Sequence, residues 1–371
     1  MEATLTRRQI ERIVVAANTA PSADNCQPWA FSWDGEALTI GHDPGRATHV
    51  LDHLKRMSCL TLGGLVEAIT IAAAREHAVA RFELTPGTPG AIWAKVLFLD
   101  GGTTHELDGA LEQRCTDRRA FGGGSLSAPV FDSIRREATD TPGCNVRFVE
   151  RCSPELLDYL SRGDSYVWRH EAVYRDLMLW VRFSQREIDA TRDGAPWRCL
   201  GYDIPELPGL SMARSPLVQR LIARGGLSVV PRLRLESQLA SAAGLYCVTA
   251  PSTSPLDLVH AGRRAFLIWL RLNRAGYGVQ PISVQSVFAH SFAEGQPPGG
   301  TLPELVELFR RGPEILARAF GAGAGEQVIW MFRTGLSPAP PPKLRTLRLP
   351  VEKLLRWEVS SAPTRASSRS S

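Results

Sequence analysis

The sequence predicts an α+β chain built from two fused half-repeats. Three observations lead there. Its 371 residues suit two units or one large fused one. Segments with helical apolar periodicity alternate with short strand runs and tight turns. One pattern also occurs twice: a buried helix, a strand, and a later apolar strand. It runs first to about His77 and on to Ala94–Leu99, then over Arg264–Ala275 and on to Gln327–Arg333. A single pair of repeats is too few for a solenoid.

The elements follow in order. Thr6 and Gln9 form a capping box ahead of Ile10, Ile13, Val14 and Ala17 at helical spacing, and Pro21 stops that helix. Trp29–Trp33 and Ala37–Ile40 read as strands joined at Asp34-Gly35. A buried helix covers about 56–75, followed by strands Ala80–Leu84 and Ala94–Leu99, and the first half closes at 106. The second half, 107–355, opens with a helix to about Gln113. A helix over Ser127–Ala138 and a strand over Asn145–Val149 come next. Residues 154–240 are helix-rich and read as an insertion. Then come strand Gly244–Ala250, an apolar helix Gly262–Arg274 ending at Gly276, and a helix capped at Thr301-Leu302-Pro303-Glu304 that runs to about Phe320. Strand Gln327–Arg333 is the last element expected; 356–371 reads as a disordered Ser/Arg-rich tail.

Composition excludes several classes. Apolar residues are 44% and charged residues 22%, as in ordinary globular proteins. The net charge of +5 comes from dispersed arginines, without the basic stripe of a nucleic-acid binder, so a site for an anionic group such as a phosphate explains it better. The seven cysteines are odd in number and contain no C-x-x-C, which argues against a disulfide framework or structural zinc and fits a reducing cytoplasm. Met1–Arg8 is not followed by an apolar stretch, so no secretory signal is expected. The longest mostly apolar run, Leu60–Ala74, is too short to span a bilayer, and no membrane partner is expected. His49, His53, His260 and His290 have no partners at metal-ligand spacing. His170 and Glu171 read as part of a surface helix, and Cys26 as packing.

Four segments carry chemistry. Ala20-Pro21-Ser22-Ala23-Asp24-Asn25-Cys26-Gln27-Pro28-Trp29 leaves a helix through small and amide residues, able to set Ser22 and Asn25 against a polar ligand. An ordinary Pro-Ser-Asn turn with Trp29 in the core accounts for it equally. Arg114-x-Thr116-x-Arg118 flanks a hydroxyl with two guanidiniums whose donor forks match phosphate oxygens; a solvated surface run is the bland reading. The other two are the basic segment Arg345–Glu352 and the loop Gly278–Val284.

Together these segments resemble the nitroreductase family of FMN enzymes. The first is similar to the family's A-P-S-x-x-N-x-Q-P-W signature. The resemblance implies that Ser22 and Asn25, beside Pro21, contact the flavin and its ribityl chain, while Gln27 and Trp29 position the loop. Arg114, Thr116 and Arg118 match the opening R-x-S-x-R/K phosphate motif, and Arg348 matches the arginine of the basic ending. Pro281, Ile282, Ser283 and Val284 match the loop whose backbone amides face the flavin ring, with Ser283 where an acid is frequent. The implied fold has in each half an antiparallel-type central sheet flanked by helices.

The losses are complementary. The first half has the P-S-x-x-N loop without the opening phosphate motif. The second half has the phosphate motif, with Thr141-Pro142-Gly143-Cys144-Asn145 where the loop would stand. This resembles the fused, Acg-like branch and implies one flavin site per chain, a single-chain pseudo-dimer able to act as a monomer, with further pairing left open. The implied function is hydride transfer through FMN between NAD(P)H and a small organic acceptor, or dehydrogenation of a small molecule; the rival is FMN storage without turnover. Proton supply from solvent is implied, so no catalytic acid is named.

Overall fold

A computed structural model describes residues 1–122, 124–136, 141–201, 207–224, 229–337 and 345–358. The fold is α+β. Helix α1 (Arg7–Ala17) starts at the expected capping box: Thr6 Oγ1 accepts from Gln9 N at 3.4 Å, and Gln9 Oε1 accepts from Thr6 N at 3.0 Å. Then come β1 (Trp29–Trp33), β2 (Ala37–His42), α2 (Arg56–Arg75), β3 (Ala78–Leu84) and β4 (Ile92–Asp100). After α3 (Ala128–Arg136) and β5 (Val146–Val149) lies the helix-rich stretch. It comprises α4 (Pro154–Asp164), α5 (Tyr166–Arg169), α6 (Glu171–Trp180), α7 (Gln185–Thr191), α8 (Leu207–Met212), α9 (Pro216–Arg224) and α10 (Val229–Ala240). A short parallel pair, β6 (Val181–Arg182) and β7 (Ala195–Pro196), sits within it. The chain continues through β8 (Gly244–Ala250), α11 (Pro255–Arg274), β9 (Tyr277–Pro281), α12 (Ala289–Ala293), α13 (Pro303–Arg310), α14 (Gly312–Phe320), β10 (Gln327–Leu336), α15 (Val351–Leu354) and β11 (Leu355–Trp357).

Two sheets result, β11-β1-β2-β4-β3 and β5-β8-β10-β9. Taken in chain order, β1, β2, β3 and β4 occupy the same relative places as β5, β8, β9 and β10, with every one of those neighbours antiparallel. The helix-rich stretch stands where the first sheet has only the β1–β2 turn. Between the sheets α2 crosses α11. Each helix has 20 residues, and each brings its eighth residue, a glycine, to the crossing. A Cβ on Gly63 would lie 2.2 Å from Val259 O, and one on Gly262 2.1 Å from Leu60 O. Only glycine lets the two backbones meet there. All of α2 except Thr70 and Arg75 is buried. At 20 residues it is long and apolar enough to cross a membrane, longer than its bare apolar run suggested; in this fold it is a core helix, because α1, α11 and the first sheet cover it.

Several expectations are corrected. Residues 107–113 form a single 3-10 turn, Asp108–Ala110, instead of a helix. The helix expected to reach Phe320 is two, because Pro313 cannot donate an amide and opens a new helix, while Gly312 gives way to Tyr159, whose hydroxyl would sit 2.2 Å from a Cβ. Thr301 does not cap: its hydroxyl donates to Pro298 O at 2.7 Å, and Leu302 holds the cap position. Arg356 and Trp357, placed in the tail by the sequence, belong to β11, which pairs in parallel with β1 and makes the first sheet mixed rather than purely antiparallel. The rest of that tail, 359–371, lies outside the described residues.

Candidate functional site

The loop between α1 and β1 is built from backbone in the left-handed region: Asp24, Asn25 and Gln27 have φ of 44°, 58° and 51°. Asp and Asn tolerate this best, and each such residue costs on the order of 1 kcal/mol. Side chains hold the shape. Ser22 Oγ accepts from Gln27 N at 2.9 Å. Gln27, fully buried, donates to Asn25 O and Arg192 O and accepts from Leu349 N at 2.8 Å. Asn25 Nδ2 donates to Gly194 O and Leu347 O, and its Oδ1 accepts from Arg348. The loop is therefore clamped between the helix-rich stretch and the C-terminal segment, which β11 ties to the first sheet.

A basic cavity of about 140 Å³ opens beside it, lined by Asn25, Arg114, Thr116, Arg118, Arg345 and Arg348 among others. Arg114 stacks on Trp269 at 4.6 Å and donates to Thr19 O at 3.2 Å. Arg348 donates to Thr346 Oγ1 at 2.8 Å and to the carbonyls of Thr19 and Ala20. Among the described residues neither has a carboxylate partner, and the Nε of each has no hydrogen-bond partner. Both keep some surface open to the cavity yet sit deep among protein atoms. Burial pushes Arg348 down to about 9 and Arg114 to about 10, and Arg114 repels Arg348 further. A guanidinium does not give up its proton in a protein, so the strain reads as demand for an anion. Local bonds fix the segment: Cys115 N donates to Asn273 Oδ1, Trp269 Nε1 to Cys115 O, and Asp117 N to Val279 O.

The cavity joins a second, mainly apolar chamber of about 240 Å³; Pro21, Ser22, Asp24, Thr116 and Arg118 line both. Its walls come from the α2–α11 crossing (Leu60, Gly64, Gly262, Phe266), from Pro281, Ser283 and Val284, and from Trp330. The amides of Ser283 and Val284 have no partner among the described residues, which leaves two donors free at the wall. The helix-rich stretch closes the other side with Val167, Val173, Asp176 and Leu177. It is anchored there by Asp193, which bridges Arg46 at 2.8 Å and Arg182 at 2.6 Å.

No family model matches the sequence, and no curated protein matches it. Solved structures do. The chain is similar to a putative nitroreductase from Anabaena variabilis at 10% identity, over 89% of this chain and 88% of that one, with a TM-score of 0.46. It is similar to the FMN- and NADPH-dependent nitroreductase NfnB from Sphigopyxis sp. strain HMH at 12% identity, over 68% of this chain and 99% of that one, with a TM-score of 0.36. A third is the FMN-dependent nitroreductase NfnB from Mycobacterium smegmatis in complex with NADPH, at 13% identity, over 68% and 100%, with a TM-score of 0.36.

Of the residues singled out in the sequence, Pro21, Ser22, Asn25, Arg114, Thr116, Arg118, Pro281, Ser283, Val284 and Arg348 all line this joined site. Two do not. Gln27 spends its side chain on backbone groups and shapes the loop. Ile282 packs in the core beneath the second sheet, and its amide donates to Met331 O at 2.8 Å, so it has no donor to offer. His170 is buried, not on a surface: it caps α6 by accepting from Val173 N. Sequence reasoning missed Asp24, His49 and Asp176, which line the chamber from three separate elements. The first occupies a variable slot of its motif, and the other two belong to no motif.

Proposed function

We propose that the chain is an FMN-dependent oxidoreductase of the nitroreductase type, a fused pseudo-dimer with one flavin site. The observation that carries this is the pair Arg114 and Arg348, deep, cationic and without a carboxylate, at the end of an apolar chamber. The residues fit the cofactor. Arg114, Thr116, Arg118 and Arg348 would hold its phosphate, Ser22 and Asn25 its ribityl chain, and the chamber its ring beside the free amides of Ser283 and Val284. When bound, FMN supplies hydride transfer at N5 between NAD(P)H and a small organic acceptor.

The chain's own part is to neutralise the phosphate, orient the ring and exclude water. Storage of FMN without turnover draws its support from α5 and α6, which wall the chamber. Anaerobic addition of NADPH and NADH to purified, FMN-loaded protein separates the two. Bleaching of the flavin band with recovery in air or on adding an acceptor supports the oxidoreductase. A bound flavin that neither nicotinamide bleaches supports storage, and a chain that takes up no FMN contradicts both.

A further inference from the structure

We propose that His49 donates the proton that a substrate's oxygen takes up when a conjugated carbonyl acceptor, a quinone or an enone, is reduced in the chamber. This deepens the oxidoreductase reading and rests on it. His49, Asp24 and Asp176 line the chamber together: His49 from the turn after β2, Asp24 from the loop before β1, Asp176 from α6. The imidazole lies flat against Trp180, with centroids 5.2 Å apart and planes at 13°. Its Nε2 sits 3.3 Å from Asp24 Oδ2, an ion-pair distance. Asp176 Oδ2 accepts from Val50 N at 2.9 Å, so the residue beside His49 aims that carboxylate.

Nε2, buried, meets Asp24 as an ion pair without hydrogen-bond geometry, and no hydrogen bond to Nδ1 is made among the described residues, so Nδ1 is the ring nitrogen left to donate. It is the one imidazole lining the chamber among the described residues. The charged groups around it are Asp24, Asp176 and Asp52, with Lys55 turned to Ala47 O at 2.8 Å. Burial by itself lowers the proton affinity of His49, but the three carboxylates outweigh it and hold the imidazolium above its ordinary range.

The chemistry balances. With FMN bound and reduced, a hydride delivered to one end of the conjugated acceptor would form the new C–H or O–H bond there and push an electron pair onto the far oxygen. That oxygen takes the proton from His49 Nδ1, leaving a neutral imidazole that water recharges. The reductant that restores the flavin is NAD(P)H. Asp24 and Asp176 act as positioning residues that keep the ring charged between turnovers.

The test uses the full chain and its His49→Gln, Asp24→Asn and Asp176→Asn variants, with menadione as acceptor. In the wild type, kcat should fall as pH rises through the His49 midpoint. His49→Gln should lower kcat about 100-fold below that midpoint and flatten the profile, while leaving the anaerobic rate of flavin reduction by NADPH within about twofold. Independently of turnover, the ring signals of His49 in the flavin-free chain should titrate above pH 6.5 by NMR, and Asp24→Asn should lower that midpoint. A flavin-loaded His49→Gln chain with wild-type kcat and profile overturns this proposal alone, as does a His49 midpoint at or below 6.5. A chain that binds no flavin overturns the oxidoreductase reading with it.

Discussion

The α2–α11 crossing has two ends, and they have been used in opposite ways. Positions match across it. Gly64 and Arg263 are each the ninth residue of their helix, Thr61 and His260 the sixth, Phe266 and Glu67 the twelfth. At one end Gly64 and Gly262 leave a chamber walled by Phe266, and a Cβ on Gly64 would come within 3.3 Å of Pro21. At the other, Arg263 stands at the position that Gly64 holds in its own helix and bonds Glu67 at 2.5 Å. The loop there is Thr141–Asn145 instead of Pro21-Ser22-Ala23-Asp24-Asn25. Matching backbone positions thus border an open chamber at one end and an ion pair at the other, according to a few side chains. The matching strand order supplies the frame, and the side chains decide which end stays open.

The largest effects are expected at the centre of the crossing. Ala at Gly63 or at Gly262 puts a Cβ within 2.2 Å of the facing backbone. Each should destabilise by about 3 kcal/mol or more in urea unfolding, and by similar amounts if the crossing is symmetric. One tolerated and one ruinous change would end the symmetry. Next, Gly64→Arg copies the filled end into the open one: it should weaken FMN binding more than about 100-fold while the far-ultraviolet dichroism of the fold survives. Arg348→Met sharpens the contrast in another way. It should weaken FMN binding by about 2–3 kcal/mol, the worth of a charge-assisted phosphate contact, yet stabilise the flavin-free chain, because a deep unpaired charge is removed. Loss of both affinity and stability would mean that the arginine is structural.

The smallest effects are in pH. His42, stacked on Trp93 at 4.2 Å, is pushed down to about 4 by burial. Between pH 6.5 and about 4 the unfolded chain takes a proton there that the folded chain refuses, so stability falls with acid in that window. His49, raised, works with the opposite sign: its contribution is complete below about 6.5 and fades as pH rises through its folded midpoint. Denaturant titrations of His42→Phe and His49→Gln should each flatten one limb of the stability profile.

Much of this was legible in the sequence, for reasons of range. α2 and the 29–42 hairpin follow from local periodicity and the Asp34-Gly35 turn. The four motif segments could be picked out because loops that meet a ligand need particular residue types in a fixed order. What stayed hidden depends on contacts distant in sequence. Whether Ile282 offers its amide depends on Met331, and whether the 301–320 helix breaks depends on Tyr159 filling the place at Gly312. The role of the 154–240 stretch was equally illegible, since Asp176 and Leu177 line the chamber through contacts distant in sequence, such as the Asp193–Arg46 ion pair.

The most direct test of the central claim, one open and one filled end per chain, is the flavin stoichiometry of the protein saturated with FMN, measured by absorbance against protein mass. Close to one equivalent per chain is expected, and none after Gly64→Arg. Two equivalents, or one that survives Gly64→Arg, would contradict it.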